Sequence, residues 1–238
     1  MLTLPPDRFL IFGHRGASAH APENSLAALR LAAEQGADGV ELDIRSTADG
    51  ELVVHHDASI EGLGPIIEHT AAGLRRVEPG LLSFAEAMEA CRGLIVNIEI
   101  KNFTTDPDYD PDDRVAAEVV TWVHENGWDD RVIISSFNSA TVDRVRHLSG
   151  SVATGQLILP GANVADQLLA AHVRGHQALH PHVTSLTDAA DLASVAAGIG
   201  MWLIAWTVDD PETIRALRKD GITGVITNDP ANAVAALS

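Results

Sequence analysis

In the stretch Val40-Glu41-Leu42-Asp43-Ile44, apolar and acidic residues alternate. Along a β-strand, that period of two sends Glu41 and Asp43 to one face and Val40, Leu42 and Ile44 to the other. Val96-Asn97-Ile98-Glu99-Ile100-Lys101 repeats the arithmetic, with Asn97, Glu99 and Lys101 on one face. If the two strands are neighbours, three carboxylates converge, and buried like charges of this kind need a cation among them. Oxygen donors suit a hard ion such as Mg²⁺ or Ca²⁺, and the lack of a nearby cysteine pair argues against structural zinc. Any one of these acids alone reads more readily as a rim residue paired with arginine or lysine. Their common same-face spacing is what favours metal ligation by Glu41, Asp43 and Glu99.

Two more motifs carry groups suited to phosphate chemistry. His14-Arg15-Gly16 directly follows an apolar run. Its glycines, Gly13 and Gly16, permit a tight backbone, and Arg15 offers a planar fork that matches phosphate oxygens. His55-His56-Asp57 ends another short apolar run, and strand alternation turns adjacent histidines to opposite faces, so only one of the pair easily reaches a shared site. Two imidazoles near neutral pKa, one taking a proton and one giving it, serve phosphodiester cleavage at neutral pH. His69, His124, His147, His172, His176 and His182 lie in helices or loops without matching partners and read as structural or solvated. His180, in His180-Pro181, reads as a turn residue at a strand end and receives no role. Trp206 and Phe137 end other candidate strands; Trp206 is the candidate for a substrate wall, although aromatics at such positions commonly serve the core.

These groups need a frame to hold them. Short β-branched runs at residues 9–12, 39–44, 94–100, 132–135, 152–158, 177–179, 202–208 and 224–227 make eight candidate strands. Helical periodicity separates most of them, at 25–34, 84–90, 116–124, 140–147, 164–171, 189–196, 212–219 and 231–236. Such alternation implies parallel strands with right-handed crossovers, and eight units in 238 residues favour a closed (β/α)₈ barrel over an open sheet. One domain covering 1–238 is the expectation. Glycines at 36, 127, 198, 200 and 221 stand where helices hand over to strands, and so mark the end of the barrel away from the chemistry. Residues 51–55 lie too close behind 39–44 for an intervening helix and read as a short hairpin extension after the second strand.

With 16 basic against 33 acidic residues, the formal charge is −17, which repels nucleic acid and anionic membrane surfaces. The same charge leaves room for a small anionic substrate, because a bound cation and a few basic groups set the potential inside a site. There is no apolar run of the roughly 18 to 20 residues that a spanning helix needs, so stable membrane insertion is not expected and a cytoplasmic location is. Cys91, the single cysteine, falls in an apolar-periodic run and reads as a small buried hydrophobe.

Taken together, His14-Arg15-Gly16, Ala21-Pro22-Glu23-Asn24-Ser25, Gly39-Val40-Glu41-Leu42-Asp43, Asp49-Gly50, Val53-Val54-His55-His56-Asp57, Glu99-Ile100-Lys101, Trp206-Thr207-Val208 and Gly224-Val225-Ile226-Thr227-Asn228-Asp229-Pro230 closely resemble the glycerophosphodiester phosphodiesterase family, in order and over nearly the whole chain. The resemblance implies a TIM barrel with a divalent cation, Mg²⁺ or Ca²⁺, at Glu41, Asp43 and Glu99. It also implies phosphate contacts from Arg15 and Lys101 and acid/base work by His14 and His56. It selects His56 over His55, because the family's second histidine immediately precedes an aspartate. The reaction it implies begins with the substrate's own glycerol hydroxyl attacking phosphorus. Water then opens the cyclic phosphate to glycerol 3-phosphate and an alcohol has been released; which histidine is the base stays open.

The chain departs from the family pattern after Asp57, where residues 58–70 are rearranged, and in the loop 102–113, which is short and acidic where some bacterial relatives carry a helical insertion. The more open pocket this implies could admit a lysophospholipid. Neighbouring readings are an enzyme resembling the spider-venom-type phospholipases D, which stop at a cyclic phosphate, and a non-catalytic barrel that binds a phosphate ester. A relative of bacterial phosphatidylinositol-specific phospholipase C would typically replace the metal by arginine. An aldolase or isomerase would usually want a late glycine-rich phosphate loop, which 224–230 does not offer.

Overall fold

The computed structural model describes residues 1–5 and 8–238. In chain order the strands are β1 (Leu10–His14), β2 (Gly39–Ser46), β3 (Leu52–Val54), β4 (Ser59–Ile60), β5 (Gly64–Pro65), β6 (Ile95–Ile100), β7 (Val132–Ser136), β8 (Ala153–Ile158), β9 (Ala178–Pro181), β10 (Trp202–Ala205) and β11 (Gly224–Thr227). The helices are α1 (Leu26–Glu34), α2 (Ala71–Val77), α3 (Phe84–Ala90), α4 (Arg114–Glu125), α5 (Ser139–Leu148), α6 (Val164–Val173), α7 (Ala189–Gly198), α8 (Pro211–Lys219) and α9 (Pro230–Leu237). The sheet runs β1-β11-β10-β9-β8-β7-β6-β2, and parallel pairing of β1 with β2 closes it into an eight-stranded barrel, as the alternation predicts. β3 lies outside the ring, antiparallel to β2, where a hairpin extension is expected.

Side-chain alternation sorts the interior from the shell. Val40, Leu42, Ile44, Val96, Ile98 and Ile100 join Leu29 of α1, Met88 of α3 and Val119 of α4 in one apolar cluster between strands and helices. Inside the barrel, Leu10, Phe12, Ile133, Ala153, Ile204 and Ile226 form a separate apolar layer with Leu2 and Leu4. One step further along β1, the same inward face carries His14, so the apolar floor gives way to a polar mouth. Gly36 and Gly221 adopt φ of 85° and 86° as the chain leaves α1 and α8, a conformation that glycine reaches without a Cβ clash. Cys91 is fully buried among these apolar groups, and burial pushes its thiol up to about 12.

Two local expectations need correction, and the rearranged stretch after Asp57 takes a definite form. The seventh barrel strand ends at Ala205, not 208, because Ile204 and Ala205 are the last residues paired with β11, after which the Trp206 amide turns to the Pro181 carbonyl. Within 58–77 the chain forms the β4–β5 hairpin and then α2, whose seven residues, Gly73 among them, are too short and too glycine-broken to show a helical period. Thr70 caps α2 by accepting from the Gly73 amide. His180, finally, is not in a turn: it belongs to β9, is fully buried, and has no hydrogen-bond partner on either ring nitrogen among the described residues. Burial alone holds it neutral, down to about 3.

Gly155 makes room for that ring. A Cβ built there would stand 2.3 Å from His180 Nε2 and 2.6 Å from its Cδ2, closer than nonbonded atoms approach. Gly155→Ala is therefore expected to lower unfolding free energy by about 1–3 kcal/mol in urea titration. An unchanged midpoint would mean that the ring has space to turn aside.

Candidate active site

The ladder between β2 and β6 sets Asp43 beside Glu99 and Glu41 beside Asn97. Glu41, Asp43 and Glu99 are each at least nine-tenths buried, and one carboxylate oxygen from each lies within 4.8 Å of the others. Glu41 Oε1, Asp43 Oδ1 and Glu99 Oε1 are buried without a hydrogen bond. Three hard oxygen donors with open lone pairs, facing one another away from water, fit a divalent cation of the Mg²⁺ or Ca²⁺ kind.

Two of the remaining oxygens are held in place. Asp43 Oδ2 accepts from Asn24 Nδ2 at 2.9 Å, and Glu41 Oε2 accepts from the Arg15 amide at 3.0 Å. Lys101 Nζ stands 2.9 Å from Asp43 Oδ1 and 2.5 Å from Glu99 Oε1, an ammonium shared between the two carboxylates, and each oxygen has a second lone pair left for a cation. Burial, then the charges of Asp43 and Glu99, push Glu41 well above the usual carboxylate range. Burial also acts to raise Asp43, but Lys101 and Arg15 beside it win and hold it low. Burial acts to lower Lys101, and the carboxylates of Glu99 and Asp43 outweigh it, keeping the ammonium charged.

Arg15 occupies the left-handed region at φ 55°, as does Asn24, whose amide donates to the Arg15 carbonyl at 2.9 Å. This backbone knot aims the Arg15 amide at Glu41 and its guanidinium along the barrel rim. Nη1 pairs with Glu23 at 2.9 and 2.8 Å, and Nε lies 3.3 Å from Asp43 Oδ2. Glu23 is half-exposed, so solvent screens its pair with Arg15 more than it screens the contact with buried Asp43.

His14 Nδ1 is 2.7 Å from Asn228 Oδ1, and His56 Nδ1 is 2.7 Å from Asp57 Oδ1. Burial, with Arg15, lowers His14; burial, with Lys101, lowers His56, while Asp43 and Asp57 oppose the change. His55 faces elsewhere, with Nδ1 on the Asp57 carbonyl at 2.8 Å and Nε2 at 3.7 Å from Glu78.

Arg45 completes the inward row begun by Glu41 and Asp43: the same two-residue step reaches it, although no sequence motif marks it. Its Nε donates to the His56 carbonyl at 3.0 Å, Nη1 to both oxygens of Asp108 at 2.8 and 2.6 Å, and Nη2 to Asp106 at 3.0 Å. Four of its five N–H donors are engaged, so Arg45 ties the acidic loop to the backbone of His56. Trp206 sits on another arc of the mouth, donating from Nε1 to the His180 carbonyl at 2.9 Å. Its ring meets Phe137 edge-on at 5.3 Å, and Phe137 stacks on Phe103 at 5.2 Å.

A closed parallel barrel whose inward face gathers three buried carboxylates near two imidazoles, Arg15 and Lys101 defines a TIM barrel with a candidate metal site. Residues 14–232 match the Glycerophosphoryl diester phosphodiesterase family, and the chain belongs to that family. It is 31% identical over 240 residues to the glycerophosphodiester phosphodiesterase of Caldanaerobacter subterraneus subsp. tengcongensis, covering 93% of this chain and 94% of that one. Among solved structures, glycerophosphodiester phosphodiesterase from Thermotoga maritima is similar at a TM-score of 0.81 and 28% identity, covering 96% of this chain and 98% of that one. An Oleispira antarctica phosphodiesterase, solved in complex with the product sn-glycerol-3-phosphate, is similar at a TM-score of 0.83 and 25% identity, with 96% of each chain covered.

Proposed function

We propose that this protein hydrolyses glycerophosphodiesters to glycerol 3-phosphate and an alcohol, using a divalent cation and acid/base catalysis by His14 and His56. The observation that carries the reading is the buried Glu41, Asp43 and Glu99 cluster with its open oxygens, set beside two histidines. Glu41, Asp43 and Glu99 would hold the cation. When bound, it supplies polarisation of the phosphoryl oxygens and a lowered pKa for a hydroxyl beside it.

The protein's own residues do the rest. Arg15 leaves Glu23 for the phosphate, and Lys101 keeps its charge beside it, so that both offset negative charge developing at phosphorus. The glycerol hydroxyl attacks phosphorus as one imidazole takes its proton, and the other gives a proton to the departing alkoxide. Water then opens the cyclic phosphate with the proton roles exchanged. Arg45 and the 102–113 loop keep the His56 backbone fixed while this happens, and Trp206 walls the substrate on the far arc. In this reading the barrel, residues 1–238, is one domain acting on small substrates in the cytoplasm; among the described residues no helix is long and apolar enough to cross a membrane.

A second reading follows from the row Phe103, Phe137 and Trp206. Phe103 and Phe137, with Leu157, Leu159 and Ala162, line a cleft that could receive the acyl chain of a lysophospholipid, and Trp206 meets Phe137 edge-on. Phosphorus NMR of the purified protein with glycerophosphocholine, with Mg²⁺ or Ca²⁺ and again after chelation, separates the possibilities. The expected result is cation-dependent glycerol 3-phosphate. Accumulating cyclic phosphate would favour the phospholipase D-like enzyme. Turnover only of lysophosphatidylcholine would favour the second reading, and binding of glycerol 3-phosphate without turnover of either ester would favour a binding protein. Full activity after chelation would sink the metal-dependent mechanism.

A further inference from the structure

Asp209 lies in the loop after β10, and Asn228 directly follows β11; together they join His14 to two loops of the barrel mouth. The Asp209 carboxylate accepts from the Asn228 amide nitrogen at 2.7 Å, from Asn228 Nδ2 at 2.6 Å and from Thr227 Oγ1 at 2.8 Å. The Asp209 carbonyl accepts from Asn232 Nδ2 at 3.0 Å. On its other side, Asn228 Oδ1 receives Ser18 Oγ at 2.9 Å and faces His14 Nδ1 at 2.7 Å.

The chain of donors and acceptors has one consistent solution. An ionised carboxylate can only accept, so the end of Asn228 that meets Asp209 must be the NH₂. The end that meets His14 is then the carbonyl oxygen, which can also only accept. His14 must therefore carry its proton on Nδ1, and Nε2 is left as the lone pair available for chemistry. Without Asp209, an amide beside an imidazole could face it with either end, and both tautomers would be open.

We infer that Asp209 is a positioning residue for His14, acting through Asn228 to fix the imidazole tautomer with Nε2 unprotonated. The inference rests on the reading of His14 as a proton-transfer group, but the tautomer itself can be measured without any substrate. Asp209 touches neither substrate nor the reacting atoms. Its carboxylate is the one group in the relay that cannot be inverted, and this is why an exposed acid on a loop bears on a half-buried imidazole.

The test uses full-length protein labelled with ¹⁵N-histidine, with and without Mg²⁺, and long-range ¹H–¹⁵N correlation spectra assigned through His14→Gln. Wild type is expected to show His14 with Nδ1 protonated. In Asp209→Asn the new amide can present either end to Asn228, so a second, Nε2-protonated population is expected, with kcat for the phosphodiester down about 10²-fold and KM within about twofold. Asp209→Asn combined with Asn228→Asp places an acceptor-only carboxylate directly on Nδ1 and is expected to restore the single tautomer and most of kcat. A merely structural role for Asp209, in holding the 227–232 turn, would lower thermal stability without moving the tautomer and would not be rescued by the second change. The inference is overturned if wild type has the Nε2-protonated form, if Asp209→Asn keeps the pure Nδ1-protonated form, or if the double variant gains nothing over the single one. An enzyme that shows the expected tautomers but no turnover of glycerophosphodiesters would instead overturn the proposed function and leave the relay standing.

Discussion

Asp43→Ala is expected to abolish turnover of glycerophosphodiesters, lowering kcat/KM by about 10⁴-fold or more, and to abolish cation binding in calorimetric titration. The magnitude follows from what is lost together. Asp43 is one of three carboxylates whose ligand atoms lie within 4.8 Å of one another, and two remaining oxygens hold a hard cation poorly. A cation stabilising transition-state charge contributes several kcal/mol, and each 1.36 kcal/mol is about tenfold in rate. Asp43 also meets Asn24 Nδ2 and stands beside Arg15 and Lys101, so its removal frees two cations that should offset charge on the substrate. The fold should survive. Lys101 retains Glu99 and Arg15 retains Glu23, while Glu41 loses a like-charged neighbour that works against its ionisation. Circular dichroism should match wild type. A variant that binds Mg²⁺ with wild-type affinity would remove Asp43 from the ligand set.

Much of this site was legible because β-strands convert spacing into direction. Glu41 and Asp43 two apart, and Glu99 and Lys101 two apart, can only share faces, and the β2–β6 register then sets Asp43 against Glu99. The barrel was legible for a related reason: strands buried on both faces read as short β-branched runs, and the helices between them show their own period. What stayed hidden depends on contacts between loops. Nothing local says that Arg45 reaches 63 residues ahead to Asp108, or that Asn228 reaches back 214 residues to His14. The extended run at 202–208 looked like one strand because residues beyond Ala205 are equally β-branched, and only the end of pairing with β11 stops it. His180 read as a turn because of Pro181, yet proline at the last position of a strand leaves the residue before it free to point inward.

The two adjacent histidines offer the sharpest contrast, since they differ by one residue and by the face they occupy. His56→Ala is expected to lower kcat by about 10²- to 10⁴-fold while cation affinity stays within about twofold of wild type. His56 is no carboxylate ligand, but its imidazole lies within the fields of Asp43, Lys101 and Arg15, with Nδ1 committed to Asp57 and its backbone carbonyl held by Arg45. The Asp57 carboxylate can only accept, so the proton is on Nδ1 and Nε2 is the nitrogen left for exchange, the same disposition as His14. His55→Ala should leave kcat and KM within about twofold of wild type, because His55 spends Nδ1 on the Asp57 carbonyl and turns Nε2 toward Glu78. If His55→Ala proved the more damaging change, the hairpin would have to rotate by one residue in solution, exchanging the two side chains across β3. The antiparallel register of Val54 on Ile44 and the Arg45 Nε bond to the His56 carbonyl both oppose that slip, since either would have to break before His55 could reach the carboxylates.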